Sequence, residues 1–422
     1  MKPMERLSSS FGQVVALAVA MLQPAMAGEF TATLRSHGLA RQTATAGPLA
    51  QAHALYDGIA ADQPGEGVAQ LQLQGGAQWS GLQWHADILV KAEQPEGGPG
   101  RTQAAVMEAY AAGQAGAWQW SAGRKVVGWD VGYGFRPNDL VQQEVRRSLV
   151  SLPLQGRPVL MAEHFTAESA WSLVAVNPVT GRDASGAREP ALAARWYQRM
   201  GAADVHAFAR WGRRTRGSVG AAVAWVPSDA LELHASLRHM ERFDTREDLS
   251  VAAGALAHAS PWRAVAAGAA QQVLVGGTWT SQRQVSVLLE AWYDGTAPSR
   301  GQWQRWAERS AALQRMGTLG VPAAAVAANL AWQTQAFNAA ASLRQHNLYA
   351  RLSWTAGAWE PAFDVLYHPE DGGRMLTASL AWKGDQMRLE GGLRMSAGPG
   401  TAVVRQLPVQ RQGYVQAVWA FD

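Results

Sequence analysis

Three stretches of this 422-residue chain set reactive side chains close together. His234-Ala235-Ser236 puts an imidazole and a hydroxyl two residues apart, on one face of an extended strand, where a base and a nucleophile for acyl hydrolysis would stand. Asp204-Val205-His206 pairs a carboxylate and an imidazole in the same way, but two ligands do not make a metal site. GRKVVGWDVGYGFRPND, from Gly123 to Asp139, has the glycines of a phosphate-cradling loop. Gly132-Tyr133-Gly134 would need a further glycine where Pro137 stands, and the Lys-Ser/Thr pair of a P-loop is missing. No G-x-S-x-G elbow occurs, and ten His without a Cys form no cluster at ligand spacing. The expectation is a chain without catalytic residues, metal or cofactor.

The elements that must position these residues follow from composition. Lys2 and Arg6, the apolar run Val14 to Leu22 and Ala25-Met26-Ala27 match a secretory leader cleaved after Ala27. That run is far shorter than the roughly 20 residues a membrane helix needs. Residues 28–422 then read as one domain. They hold no cysteine and no later apolar run of helix-spanning length, so neither a disulfide scaffold nor a helical membrane protein fits. Charged residues are 17% of the chain, against about 25% in soluble globular proteins, and there are 19 Trp and 43 Gly. An exported chain of this kind suits a transmembrane antiparallel β-barrel, whose wall is apolar at every second residue. The net charge of +4 is too mild, and too dispersed, for nucleic acid.

A barrel demands that charges keep to one parity of each strand. Seven segments obey. GYVQAVWAFD sets Val415, Ala417, Trp419 and Phe421 on one face; QMRLEGGLRMS sets Met387, Leu389, Leu393 and Met395 against Arg388, Glu390 and Arg394. LYARLSW opposes Leu348, Leu352 and Trp354 to Arg351, and WEPAFDVLYH opposes Trp359, Phe363 and Tyr367 to Glu360 and Asp364. VSVLLEAWYD isolates Glu290, LELHASLR isolates Glu232 and Arg238, and ADVHAFARW isolates Asp204, His206 and Arg210. Trp or Tyr closes the apolar face in five of the seven, as interface aromatics do. A Lys or Arg facing lipid at mid-membrane costs about 2–4 kcal/mol, which accounts for the strictness.

Short joints at Ser80-Gly81, Gly113 to Gly116, Pro227 to Ala230, Ser281 to Arg283, Thr355 to Ala358 and Lys383 to Asp385 all fall on one side. That side is the periplasm if the chain starts there at Phe30. The count favours 16 strands; taking Ser169 to Val176 and Val251 to His258 as crossings gives 18 without breaking the alternation. Long extracellular loops remain. In Gly295 to Gln345, Ala323 to Phe337 after Pro322 reads as a short helix, either a loop decoration or a lumen plug.

The leader, the alternating strands, the aromatic last strand and the G-R-K-x-x-x-W-x-x-G-Y-G-F-x-P-x-D segment resemble porin-like outer-membrane barrels of Gram-negative bacteria, the alginate-export-like group above all. Such barrels end on Phe, whereas here Phe421 is penultimate and Asp422 follows. The resemblance implies an outer-membrane location among lipid and lipopolysaccharide, insertion by the barrel-assembly machinery, a periplasmic export partner, and a conduit for solute or polymer whose cargo it does not name; the expectation is a channel or exporter for a polar, saccharide-like solute. The alternative is a non-conducting barrel serving as assembly partner, receptor or surface scaffold. His234 and Ser236 also resemble the pair of outer-membrane phospholipases, but their parity turns them to the lumen, away from acyl substrate.

In this reading the inward face is the functional surface. Its candidates are Arg210, Glu232, Arg238, Glu290, Arg351, Glu360, Asp364, Arg388, Glu390 and Arg394, mixed in sign and not a one-sign ring. The glycine-rich segment opens a connection that runs to about Glu189 and carries Arg124, Asp130, Arg136, Asp139, Glu144, Arg146 and Arg147. It either folds inward as a constriction or stays at the rim, pinned by its own ion pairs.

Overall fold

The computed structural model describes residues 30–57, 59, 64–143, 149–150, 152–181 and 184–421. The expected leader, Glu144, Arg146 and Arg147 lie outside the described residues. The first half of the chain supplies β1 (Phe30–Thr43), β2 (Gly65–Trp79), β3 (Leu82–Pro95), β4 (Arg101–Ala115), β5 (Trp118–Lys125), β6 (Arg157–Phe165), β7 (Ser169–Val176), β8 (Ala191–Met200) and β9 (Ala203–Gly212). Next come β10 (Arg216–Ser228), β11 (Leu231–Met240), a separate ribbon of β12 (Phe243–Asp248) with β13 (Trp262–Ala267), β14 (Ala270–Thr280) and β15 (Val285–Asp294). The last five are β16 (His346–Trp354), β17 (Trp359–His368), β18 (Gly373–Lys383), β19 (Met387–Ala397) and β20 (Val409–Phe421).

Apart from the ribbon these form one 18-stranded sheet of antiparallel neighbours, and β1 closes it against β20 with Ala32 opposite Phe421. Closure pairs the edge groups that lipid could not hydrogen-bond. At one end the joints are two to four residues long. Ser80 and Gly81, with φ of 53° and 76°, make the left-handed pair that a two-residue hairpin requires. At the other end they run from three residues (213–215) to fifty-one (295–345). Trp79, Trp118, Trp279, Trp354, Trp359 and Trp419 lie exposed beside the short turns, as an aromatic girdle does.

Alternation holds as read. Leu289, Leu348, Leu393 and Val415 are exposed on the outer wall, while Glu290, His234 and Arg210 are buried inside. The strand number is eighteen, and the preferred sixteen does not form. The extra pair is β6 and β7; Val251 to His258 is irregular loop, and the connection expected to reach Glu189 ends at Gly156. The physical reason lies in the lumen. Val159, Met161, Val174 and Val176 face inward on β6 and β7 yet are buried under a loop, so apolar residues fill the middle of both parities and only Arg157, Glu163 and Ser172 mark the inward one.

At the long-loop end, α1 (Pro48–Leu55), α2 (Arg300–Thr318) and α3 (Ala323–Trp332) build a cap. The expected helix is α3 with a 3-10 extension, Gln333–Asn338, and Pro322 precedes it. Ser299 opens α2 with a reciprocal capping box to Gln302. Trp303, Trp306 and Phe337 pack with Trp262 and Val404, and Ala52 packs with Leu313 and Leu330, so four loops share two apolar cores.

Arginine at Leu289 should cost about 2–4 kcal/mol if it enters mid-membrane lipid. Arginine at lumen-facing Gln416, opposite Glu390, should stay within about 0.5 kcal/mol. Urea refolding titrations in vesicles measure both; equal costs would refute the assignment of faces.

Candidate functional site

From Lys125 the chain turns into the barrel and runs along the inner wall from β6 to β15. Val127, Trp129, Leu140 and Val141 bury themselves against Val159, Met161, Val174, Ala193, Phe208 and Ala222. The Tyr133 and Gly134 amides donate to the two oxygens of Glu290, each at 2.7 Å. His234 Nε2 lies 3.0 Å from the same carboxylate, whose side chain is fully buried. Phe135 stacks on Trp292 at 5.5 Å and 13°. Glycine is required for this approach: a Cβ on Gly134 would stand 2.8 Å from Glu290 Oε2, and one on Gly132 would collide with the Phe135 carbonyl and Leu274.

The loop's own charges fasten it. Asp130 accepts from the Asn138 amide N–H at 2.5 Å and from the Ser236 hydroxyl at 2.8 Å. The Asn138 side chain donates to Ser236 Oγ at 2.8 Å and to the Leu237 carbonyl at 3.0 Å. Arg238 donates to the Pro137 carbonyl at 3.1 Å, Arg136 to the Gly132 carbonyl at 2.8 Å, and Arg124 to the Gly156 carbonyl at 2.8 Å. Asp139 is buried. Burial pushes the Asp130 carboxyl above its ordinary value, partly offset by the bonds from Asn138 and Ser236. A raised carboxyl favours the docked loop most in the protonated state. Its contribution is full below the ordinary carboxylate pKa and falls as pH rises through the raised one. Mild acid therefore does not loosen the loop through this group.

The opposite half of the wall, β16 to β20 and β1 to β4, carries a different set. Asp364 accepts from Arg351 and from the Tyr349 hydroxyl, both at 2.9 Å. Arg388 bridges Glu360 at 2.7 Å and Glu390 at 3.0 Å, Tyr414 donates to Glu390, and Arg394 donates to Thr377 at 3.0 Å. Arg35, Gln72, Gln74 and Asp87 continue the row, with Gln72 donating to Asp87 at 2.6 Å. Two of these side chains reach water, Arg351 at 41% exposed and Arg388 at 36%, while Gln72 and Asp87 are buried.

The expected residues thus sort into two groups. Asp130, Asp139, Glu290 and Arg238 lie at the loop–wall contact, with Glu232 beside His234 at 3.3 Å. Arg351, Glu360, Asp364, Arg388, Glu390 and Arg394 lie across the lumen. Arg210 belongs to neither; it binds Glu189 at 2.9 Å near the β9–β10 turn. Asn138, Arg35, Gln72 and Asp87 were not singled out from the sequence, though the alternating QLQLQ of residues 70–74 marks an inward polar face. Ser236 and His234 do not meet: one binds Asp130, the other Glu290. Among the described residues no three His, Asp or Glu side chains are grouped to hold a metal.

No family model and no curated protein matches the chain. Solved barrels do. OccAB1 of Acinetobacter baumannii aligns at 11% identity and a TM-score of 0.52, over 93% of this chain and 96% of that one. OccD3 (OpdP) of Pseudomonas aeruginosa gives 9% and 0.52 over 94% and 91%, and OccK11 (OpdR) of the same organism 9% and 0.51 over 93% and 96%. This likeness is one of fold, that of a large bacterial outer-membrane β-barrel.

Glu290→Ala removes two charge-assisted hydrogen bonds, each worth about 1.5–3 kcal/mol net. The Tyr133 and Gly134 amides should then exchange with solvent roughly 100-fold faster or more, with wall amides unchanged. Unaltered protection would show that Glu290 does not hold the loop.

Proposed function

We propose that this chain is an outer-membrane channel or exporter for a polar, saccharide-like solute. In this reading residues 1–27 are a removed leader and residues 28–422 one barrel domain inserted by the barrel-assembly machinery. The observation that carries the reading is the unequal lumen. The loop seals one half of the wall around fully buried Glu290 and His234, while the other half keeps Arg351 and Arg388 more than a third exposed. A plugged barrel would bury both halves.

The accessible strip alternates donors and acceptors: Arg351 with Asp364 and Arg388 with Glu390. Such a strip replaces water around a neutral polyhydroxylated solute at many points without trapping an ion of either sign. The resemblance of the glycine-rich segment to alginate-export-like barrels supports a saccharide cargo and an export partner. The cap supports the second reading, a closed barrel acting as receptor or scaffold, because four outer loops pack into shared apolar cores.

Single-channel recording of the refolded chain in a planar bilayer decides between them. Discrete openings with weak ion selectivity are expected, and Arg351→Glu should shift the reversal potential toward cations. No openings in the intact protein, with openings after removal of 295–345, would support the closed barrel and overturn the open channel.

A further inference from the structure

The inward loop brings three aromatic rings into the barrel and treats them differently. Trp129 is buried in the loop's main core, and Phe135 is buried against Trp292. Tyr133, between them at the tip, stays 48% exposed. It does not face lipid. Its amide donates to Glu290 and its ring lies 5.7 Å from the His234 imidazole, and both of those side chains point into the lumen. The ring is also held in place. Glu290 binds the amides of Tyr133 and Gly134, which flank the Tyr133 Cα, so the backbone that carries the ring is fixed on both sides.

The tip adjoins the open strip. A Cβ on Gly134 would stand 3.4 Å from the Tyr349 ring. Tyr349 and Arg351 both donate to the same oxygen of Asp364, each at 2.9 Å. A bare aromatic ring, a carboxylate and an exposed guanidinium are therefore grouped where the covered half of the lumen meets the open half. The charge around the ring is mainly negative. Glu232 stands 3.3 Å from the same imidazole with its side chain 24% exposed, and Glu290 and Asp364 lie on the neighbouring strands β15 and β17.

We infer that the loop tip is a binding site for an uncharged pyranose ring, with Tyr133 as its stacking platform. An aromatic face is electron-rich and the C–H face of a pyranose is electron-poor, so the two pack together. Hydroxyls on the rim of the sugar accept from Arg351 and donate to Asp364. A linear polyol offers the same hydroxyls without a flat C–H face. A sugar acid would bring its carboxylate among Glu232, Glu290 and Asp364, where like charge opposes it. The inference rests on the reading of the lumen as a path for polar solute, and it names the part of the solute that is recognised.

The test is saturation-transfer NMR on the full barrel refolded in detergent micelles, with methyl β-glucopyranoside, its glucuronide counterpart and sorbitol as probes. The unaltered protein should bind the glucoside in preference to both others, with saturation strongest on the C–H protons of one sugar face. Tyr133→Leu keeps the bulk and removes the ring, and should weaken binding about tenfold. Tyr133→Phe, which returns the ring, should restore it, and Arg351→Gln should weaken it with the loop untouched. Heat-shifted gel migration and protection of the Gly134 amide confirm that each variant keeps the barrel and the docked loop. Binding is read here without conduction, so a barrel that stays closed in a bilayer yet binds the glucoside would refute the channel and leave the site standing. Equal binding by the leucine variant, equal binding of sorbitol or the glucuronide, or no binding of the glucoside would overturn the site.

Discussion

Everything in this molecule depends on the pairing of β1 with β20. A sheet edge left open in hydrocarbon would strand a row of N–H and C=O groups at several kcal/mol each, so the wall must close on itself. Closure makes each strand a boundary between lipid and lumen. One parity is fixed as apolar, the other freed for charge, and Leu289 beside Glu290 shows both demands one residue apart.

An eighteen-strand wall encloses more space than inward side chains alone can fill. Residues 126–143 fold into that space, and their packing divides the lumen. On one half they lay Val127, Trp129, Leu140 and Val141 against small and apolar residues. A buried carboxylate there must have its lone pairs satisfied, and Glu290 obtains this from two amides and an imidazole. Gly132 and Gly134 let the backbone come close enough. The segment that looked like a nucleotide loop is therefore a lining, and Asp130 holds it to the wall through Asn138 and Ser236.

The uncovered half keeps its charges in water and in pairs. Arg351 with Asp364 and Arg388 with Glu360 sit on neighbouring strands or close across the sheet, so their fields largely cancel at short range. These pairs leave the strip without a block of charge of one sign. The cap of α1, α2 and α3 lies at the opposite end from the short turns, where loop length alone permits apolar cores to form outside the barrel.

The sequence by itself determined the barrel, the inward face, the side of the short turns and the helix after Pro322, because a period of two and turn chemistry act locally along the chain. It left the strand number open where apolar Val159, Met161, Val174 and Val176 occupy the inward side of β6 and β7. Only tertiary structure supplies the loop that covers Val159 and Met161, and so only it shows that these strands cross at all. The same holds for the site. Parity identified Glu290 and Ser236 as inward, but their partners lie 156 and 106 residues away. Contacts at that separation depend on how the loop folds back across eight strands of wall, which local spacing does not encode.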